Sequence, residues 1–262
     1  MTIPTSGPLS PGQIQQFIAH GFVRLDDAFP SALAEQARAL LWRDLPGEQD
    51  DPATWTRPVI RLGMYAQPPF QAAANTARLS GAFDQLVGPG RWQPCRAVGT
   101  FPVRFPSSED PGDTGWHVDV SFGTEAPDFL DWRVNIVSRG RALLMLFLFS
   151  DVSVDDAPTR FLPGSHRDVA RLLAPAGQEG LSLRRLVEHN FGVSRQRDEM
   201  LATGPAGTVW LCHPFLVHAA QRHQGHQPRF LAQPALVPSE PLRIDGPSPV
   251  EHAIAAALAA PG

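Results

Sequence analysis

A chain of 262 residues, 43% hydrophobic and 18% charged, is long enough to bury a sizeable core, and one domain is expected. The net charge is −4 and the basic residues are dispersed, so no nucleic-acid or anionic-membrane surface is indicated. All 22 basic residues are arginine, which excludes Schiff-base lysine chemistry, pyridoxal-phosphate enzymes and P-loop NTPases, since each needs a lysine amine.

Cys95 and Cys212 lack Cys-x-x-Cys spacing and read as buried thiols. The first residues have no signal-peptide pattern, and no apolar run approaches the ~20 residues of a membrane span. A cytoplasmic protein is expected.

Ser10-Pro11-Gly12 opens a helix with Ile14, Phe17 and Ile18 at helical spacing, and Gly21 stops it. Residues 22–25 form a short strand. Pro30-Ser31 opens a second helix, to about Leu45, with Leu33, Ala37, Leu40 and Leu41 as its apolar stripe. Residues 46–69, rich in Pro, Asp and Arg, read as an irregular segment of the kind that carries function. Arg57 and Arg61 within it could meet an anionic group, although solvated or ion-paired arginines are the plainer reading. Residues 75–87 are helical and 98–105 form a strand. Residues 10–90 thus make a mostly helical scaffold ahead of a strand-rich core over 95–236.

In Gly115-Trp116-His117-Val118-Asp119-Val120, His117 and Asp119 alternate with valines, so on an extended strand both polar side chains leave one face. A His-x-Asp pair supplies two of the three ligands of a 2-His-1-carboxylate triad, which leaves iron(II) with open positions. The pair is common by chance, and His166-Arg167-Asp168 is a second copy. That copy follows the turn Pro163-Gly164-Ser165 and precedes a short helix, where residues two apart do not share a face. The first copy is the better ligand pair.

Residues 132–137 alternate as a half-buried strand, and residues 142–149 are eight consecutive apolar residues, a central strand buried on both faces. A short strand spans 159–162. Residues 169–200 read as an insertion between strands, helical in part, including 181–187. Strands follow at 208–212, 216–220 and 229–233. If the last two pair as a hairpin, His218 and Arg229 face one cavity. Short strands, frequent turns and no βαβ alternation predict a mainly β fold with flanking helices, a double-stranded β-helix or cupin-like jelly-roll barrel. Residues 248–260 predict a terminal helix.

The third ligand must come from a distant strand. His218 is the best choice and His213 the runner-up; His20 ends a helix, His252 lies in the tail, and His223 and His226 sit in a polar turn where exposure is the default. Iron(II) on three protein groups can be chelated by 2-oxoglutarate through its keto acid, with a site left for O2. The far carboxylate then needs a cation, which Arg229 can supply as a planar fork that stays charged when buried.

The His-x-Asp pair, the apolar strand, Ala157-Pro158-Thr159-Arg160-Phe161-Leu162-Pro163-Gly164-Ser165-His166, then His213-Pro214-Phe215-Leu216-Val217-His218 and Arg229 together resemble the phytanoyl-CoA dioxygenase family of iron(II)- and 2-oxoglutarate-dependent oxygenases. The match in motif order runs from about Phe17 to Leu236. The resemblance implies that His117, Asp119 and His218 bind Fe2+ and that Arg229 holds the co-substrate's far carboxylate, with Trp132 and Arg104 as further co-substrate contacts. Family members often carry a hydroxyl residue two positions after the last histidine, where this chain has Ala220. Related halogenases replace the carboxylate ligand by a small residue, so Asp119 implies a hydroxylase. Oxidation of the substrate would be coupled to conversion of 2-oxoglutarate to succinate and CO2.

Two other readings use the same residues: a zinc-type Lewis-acid hydrolase, which would want a general-base carboxylate near the metal, and a jelly-roll module with a structural metal site. No run of basic residues suggests a coenzyme A phosphate site, so a small free metabolite is the expected partner, with substrate contacts from loops near 46–70, 123–131 and 174–200.

Overall fold

The computed structural model describes residues 7–188 and 191–259, and the end of the expected terminal helix at Ala260 lies outside them. In chain order the elements are α1 (Pro11–His20), β1 (Phe22–Leu25), α2 (Ser31–Leu41), β2 (Val59–Leu62), α3 (Pro68–Ala74), α4 (Ala77–Leu86), β3 (Phe101–Arg104) and β4 (Arg133–Val134). There follow β5 (Leu143–Leu148), β6 (Arg160–Phe161), α5 (Ser165–Leu173), β7 (Leu181–Ser182), α6 (Leu183–Glu188), β8 (Met200–Leu201), β9 (Val209–Cys212), β10 (His218–Ala219), β11 (Leu231–Ala232), β12 (Ala235–Leu236) and α7 (Pro249–Ala259).

α1 begins and ends where its sequence dictates. Ser10 accepts from the Gln13 N–H, the Gln13 side chain returns a bond to the Ser10 N–H, and Gly21 closes the helix at φ 85°. The chain then enters β1 directly, which pairs antiparallel with β9.

β5 is the centre of the larger sheet, with β9 on one side and both β11 and β12 on the other. Its six residues are all buried, and they divide by strand alternation. Leu143, Met145 and Phe147 join the large apolar cluster that includes Phe17, Ala34, Phe70, Phe83 and Ile254 from the helices. Leu144, Leu146 and Leu148 join a smaller cluster with Phe22, Phe161, Trp210, Leu216 and Leu231. One face of the sheet therefore packs on helices, and the other packs on the small sheet β10–β6–β8.

This is a mostly β jelly roll with flanking helices, but the sheets do not close into a barrel. The two larger sheets share no ladder, and several strands are only two residues long. The segment 46–69 is not wholly irregular: β2 pairs with β3 from Val59↔Arg104 to Leu62↔Phe101. Its proline-rich flanks hide a four-residue strand whose partner comes from about forty residues away. The segment 169–200 is more than an insertion, because β7 pairs with β4 and β8 with β6. The hairpin expected to join His218 and Arg229 does not form: β10 pairs with β6, and β11 pairs with β5. No helix among the described residues is long and apolar enough to cross a membrane.

Candidate metal centre

His117 lies in no ladder strand; it forms a single antiparallel bridge with His218. The His117 N–H donates to the His218 carbonyl at 2.9 Å, and the His218 N–H donates to the His117 carbonyl at 2.9 Å. Residues paired this way present their side chains on one face, and the two rings stand 4.3 Å apart. Each Nδ1 lies 3.0 Å from the carbonyl oxygen two residues earlier, His117 against Gly115 and His218 against Leu216. That bond places the proton on Nδ1 and leaves the Nε2 lone pair free.

Asp119 Oδ1 lies 3.6 Å from His218 Nε2 and 4.0 Å from His117 Nε2. The three ligand atoms all lie within 4.8 Å of one another. Burial, reinforced by His218, lowers the His117 pKa to about 4, so the ring is neutral at neutral pH. Burial pushes the Asp119 carboxyl up, but Arg141, His218 and His117 outweigh it and hold the pKa well below the usual range. His218 Nε2 is buried with no hydrogen-bond partner among the described residues. Two lone pairs and an anion converging without a proton between them are costly in a buried site, and a divalent cation removes that cost. The residues fit a metal ion.

A second cross-strand bridge joins Arg104 and Arg229, with N–H to carbonyl distances of 3.1 and 2.8 Å. Both side chains are buried. Arg229 donates to the carbonyls of Ala157 and Pro102, and Arg104 donates to Asp113 Oδ2 at 2.6 Å. Arg61, from the loop-flanked β2, reaches the same carboxylate. The Nε atoms of Arg104 and Arg229 are buried without a partner among the described residues. Burial, helped by Arg104, pushes the Arg229 pKa well below its ordinary value, against Asp113 and Asp156. This pocket is short of negative charge.

His223, expected on an exposed turn, is 4% exposed. It packs against Asp156, 3.9 Å from Nε2 to Oδ1, and burial with Arg229 and Arg104 lowers its pKa. Asp113, four residues before His117, is the carboxylate that Arg104 and Arg61 share. Arg160 stacks 4.6 Å over Trp116 and donates to the carbonyls of Thr114 at 3.0 Å and Ala220 at 3.2 Å. It thereby braces both histidine segments, with the Ala220 backbone contributing at the position where a hydroxyl was expected.

A cavity of about 650 Å3 borders Asp119; Trp132, Arg141, Met64 and Phe129 line it, while Arg104 and Arg229 do not. Trp132 packs its ring edge-on against Phe129 at 5.1 Å and donates from Nε1 to the Ala126 carbonyl at 2.9 Å. Of the predicted residues, then, the structure joins His117, Asp119 and His218 in one cluster and Arg104 and Arg229 in another, and sets Trp132 in this cavity.

The competing histidines are engaged elsewhere. His213 Nε2 lies 3.1 Å from the Val250 carbonyl oxygen, its Nδ1 accepts from the Phe215 N–H, and burial lowers its pKa to about 3. In the second His-x-Asp copy, His166 Nε2 lies 3.1 Å from the Ile18 carbonyl oxygen while Asp168 binds Arg197 and Ser194. The sequence reading missed Asp113, Arg160, His223 and Arg141. Only Arg141 carried a signal: a charged residue after a turn glycine and abutting a wholly apolar strand has its own side chain drawn inward.

A jelly roll that brings two histidines and an aspartate to one partly buried point defines the class, a metal-binding jelly-roll fold. The sequence model of the phytanoyl-CoA dioxygenase (PhyH) family matches residues 19–231, and the chain belongs to that family of iron(II)- and 2-oxoglutarate-dependent oxygenases. Among solved structures, EctD from S. alaskensis in its apo form is 22% identical, TM-score 0.56, covering 92% of this chain and 83% of that one. HygX from Streptomyces hygroscopicus with nickel, 2-oxoglutarate and hygromycin B bound is 20% identical, TM-score 0.51, covering 86% of each. SnoK, a non-heme alpha-ketoglutarate-dependent carbocyclase from nogalamycin biosynthesis, is 17% identical, TM-score 0.54, covering 89% of this chain and 87% of that one. At these identities the likeness is one of fold. No curated protein sequence matches the chain.

Proposed function

We propose that this protein is an Fe(II)/2-oxoglutarate-dependent dioxygenase that hydroxylates a small-molecule metabolite or natural-product intermediate, with succinate and CO2 as co-products. The observation that carries this reading is the pair of opposite deficits. His117, Asp119 and His218 converge with His218 Nε2 unpartnered, Arg229 makes no ion pair among the described residues, and Arg104 shares its one carboxylate, Asp113, with Arg61. A keto acid chelating a metal at one end and bearing a carboxylate at the other supplies both.

Bound iron with 2-oxoglutarate and dioxygen supplies the oxidising power for attack on a substrate C–H bond. The chain's own residues prepare that site. His117 and His218 present neutral Nε2 atoms because their Nδ1 protons are held by backbone carbonyls. Asp119 stays ionised beside Arg141, whose NH1 is 3.1 Å from Oδ2, and its Oδ1 is the oxygen turned to the histidines. Arg229, with Arg104 beside it, orients the far carboxylate as a bidentate fork would. Val118 and Val120, buried on the opposite face of the same segment, exclude water from behind the ligands.

Retention of Asp119 supports hydroxylation over halogenation. EctD with bound 5-hydroxyectoine and HygX with hygromycin B are neighbours that hold small molecules, which supports a small-molecule substrate here. A Lewis-acid hydrolase would need a free carboxylate base. Asp113, the further acid acting on His117, is instead paired with Arg61 and Arg104.

The test is anaerobic titration with iron(II) and then 2-oxoglutarate, following the weak visible charge-transfer band of a keto acid chelated to iron. The parent should show the band. His218→Ala should lose iron stoichiometry, and Arg229→Ala should keep iron but lose the band at matched co-substrate. Stoichiometric iron binding with no band in the parent would sink the proposal.

A further inference from the structure

We infer that the primary substrate carries a carboxylate and that Arg141 receives it, in the cavity that borders Asp119; the inference rests on the oxygenase reading above. Arg141 is well buried, with 13% of its side chain exposed, and its NH1 is 3.1 Å from Asp119 Oδ2. Yet Nε and NH1 are both buried and make no hydrogen bond among the described residues. The contact with Asp119 is close enough to balance charge but not aligned to use these donors. A desolvated guanidinium with idle N–H groups is costly unless an acceptor arrives from outside.

The fold does not need the guanidinium. The turn before β5 is built by backbone and hydroxyl groups: Arg141 N–H donates to the Ser138 carbonyl at 3.2 Å, and Ser138 Oγ donates to the Arg141 carbonyl at 2.6 Å. Gly140 at φ 88° lets that turn pass close under Ser121.

The cavity itself selects an anion with an apolar body. Its volume of about 650 Å3 suits a small organic ligand. Asp119 is the one acidic residue lining it, and a metal would claim that carboxylate, leaving Arg141 uncompensated. Its rim carries Met64, Phe129 and Val237, which are 60%, 54% and 42% exposed and are among the few large hydrophobic residues so placed. Apolar side chains left open around a concave site mark a ligand surface. The co-substrate's far carboxylate is already provided for by Arg229 and Arg104, which do not line this cavity. The anion at Arg141 is therefore a second molecule's.

The experiment uses the full chain loaded anaerobically with iron(II) and 2-oxoglutarate. Phenylacetate, indole-3-acetate and octanoate are titrated against their primary amides, with dissociation constants from calorimetry and from changes in the charge-transfer band. We expect at least one carboxylate to perturb the band and its amide to bind about tenfold or more weakly, as for a lost charge-assisted hydrogen bond. Arg141→Gln removes the cation beside Asp119 and is compared only at confirmed stoichiometric iron, where it should lose the carboxylate preference. Arg141→Lys keeps a cation beside Asp119, so it should load iron and retain the preference in weakened form. A band that no carboxylate perturbs, or an equal response to acid and amide, overturns the inference alone. Loss of 2-oxoglutarate affinity in Arg141→Lys would assign the guanidinium to the co-substrate and overturn it too. Absence of the band in the parent removes the oxygenase reading itself.

Discussion

The bridge His117↔His218 and the bridge Arg104↔Arg229 are built alike, each from reciprocal backbone hydrogen bonds that force two like side chains onto one face. Their chemistry differs in sign. The histidine pair shares Asp119, holds each Nδ1 against a backbone carbonyl, and turns its Nε2 atoms to one point. In the arginine pair Arg104 shares Asp113 with Arg61, Arg229 has only backbone carbonyls, and both Nε–H groups are left without an acceptor among the described residues. The two clusters are opposite in character, and the metal-chelating dicarboxylate of the proposed function would answer both.

The comparison can be broken most forcefully at Arg229. Replacing it with Met should cost about 2–5 kcal/mol of 2-oxoglutarate binding, roughly thirtyfold or more in Kd, while iron stoichiometry holds. Loss of iron in this variant would mean that the two pairs do not act separately. Arg104→Met should cost less, about tenfold in the same Kd, because Asp113 already satisfies part of Arg104. An Arg104→Met effect equal to or larger than that of Arg229→Met would reverse the assignment of the main anchor.

Gly140→Ala sharpens the neighbouring contact between Asp119 and Arg141. A Cβ there would stand 2.8 Å from the Ser121 carbonyl oxygen at φ 88°, so the turn must shift. We expect a loss of about 1–3 kcal/mol in stability, read as a lower Tm, with weakened iron loading. An unchanged Tm would show that the turn relaxes freely.

His213 is the control, a buried histidine with both ring nitrogens engaged. Its pKa of about 3 lies below the ordinary 6.5, so the unfolded chain binds the extra proton first. Its contribution to stability is complete above about pH 6.5 and is lost as pH falls toward 3, by about 1 kcal/mol per unit. Urea midpoints of the metal-free protein at pH 7 and 5.5 measure this. The slope should flatten in His213→Asn, and a slope unchanged by that substitution would place the titration elsewhere.

Much of this was legible in the residues. The cap and stop of α1, the two-faced burial of β5 and the convergence of His117 with Asp119, where His166 and Asp168 turn to different partners, all follow from local patterns. Such patterns report on neighbours a few residues away. The eight-residue apolar run could only be satisfied between two layers, and a His-x-Asp pair at a turn-to-helix junction had to diverge.

Partners far apart in the chain were not legible. Arg229 was chosen for its spacing from His218, yet it pairs with Arg104, and His218 pairs with His117. Asp113 and His223 sit in polar stretches that look solvated, and they are drawn in only because β2, β3 and the loop before β11 meet there, while Arg160 is brought to the histidine segments by the pairing of β6 with β10. Sequence by itself determined α1, the doubly buried β5 and the family, since those depend on short-range periodicity and on the order of motifs along the chain. Tertiary structure decided register, which charges are left uncompensated, and the place of Arg141, because burial and electrostatic balance are sums over groups that the chain brings together only on folding.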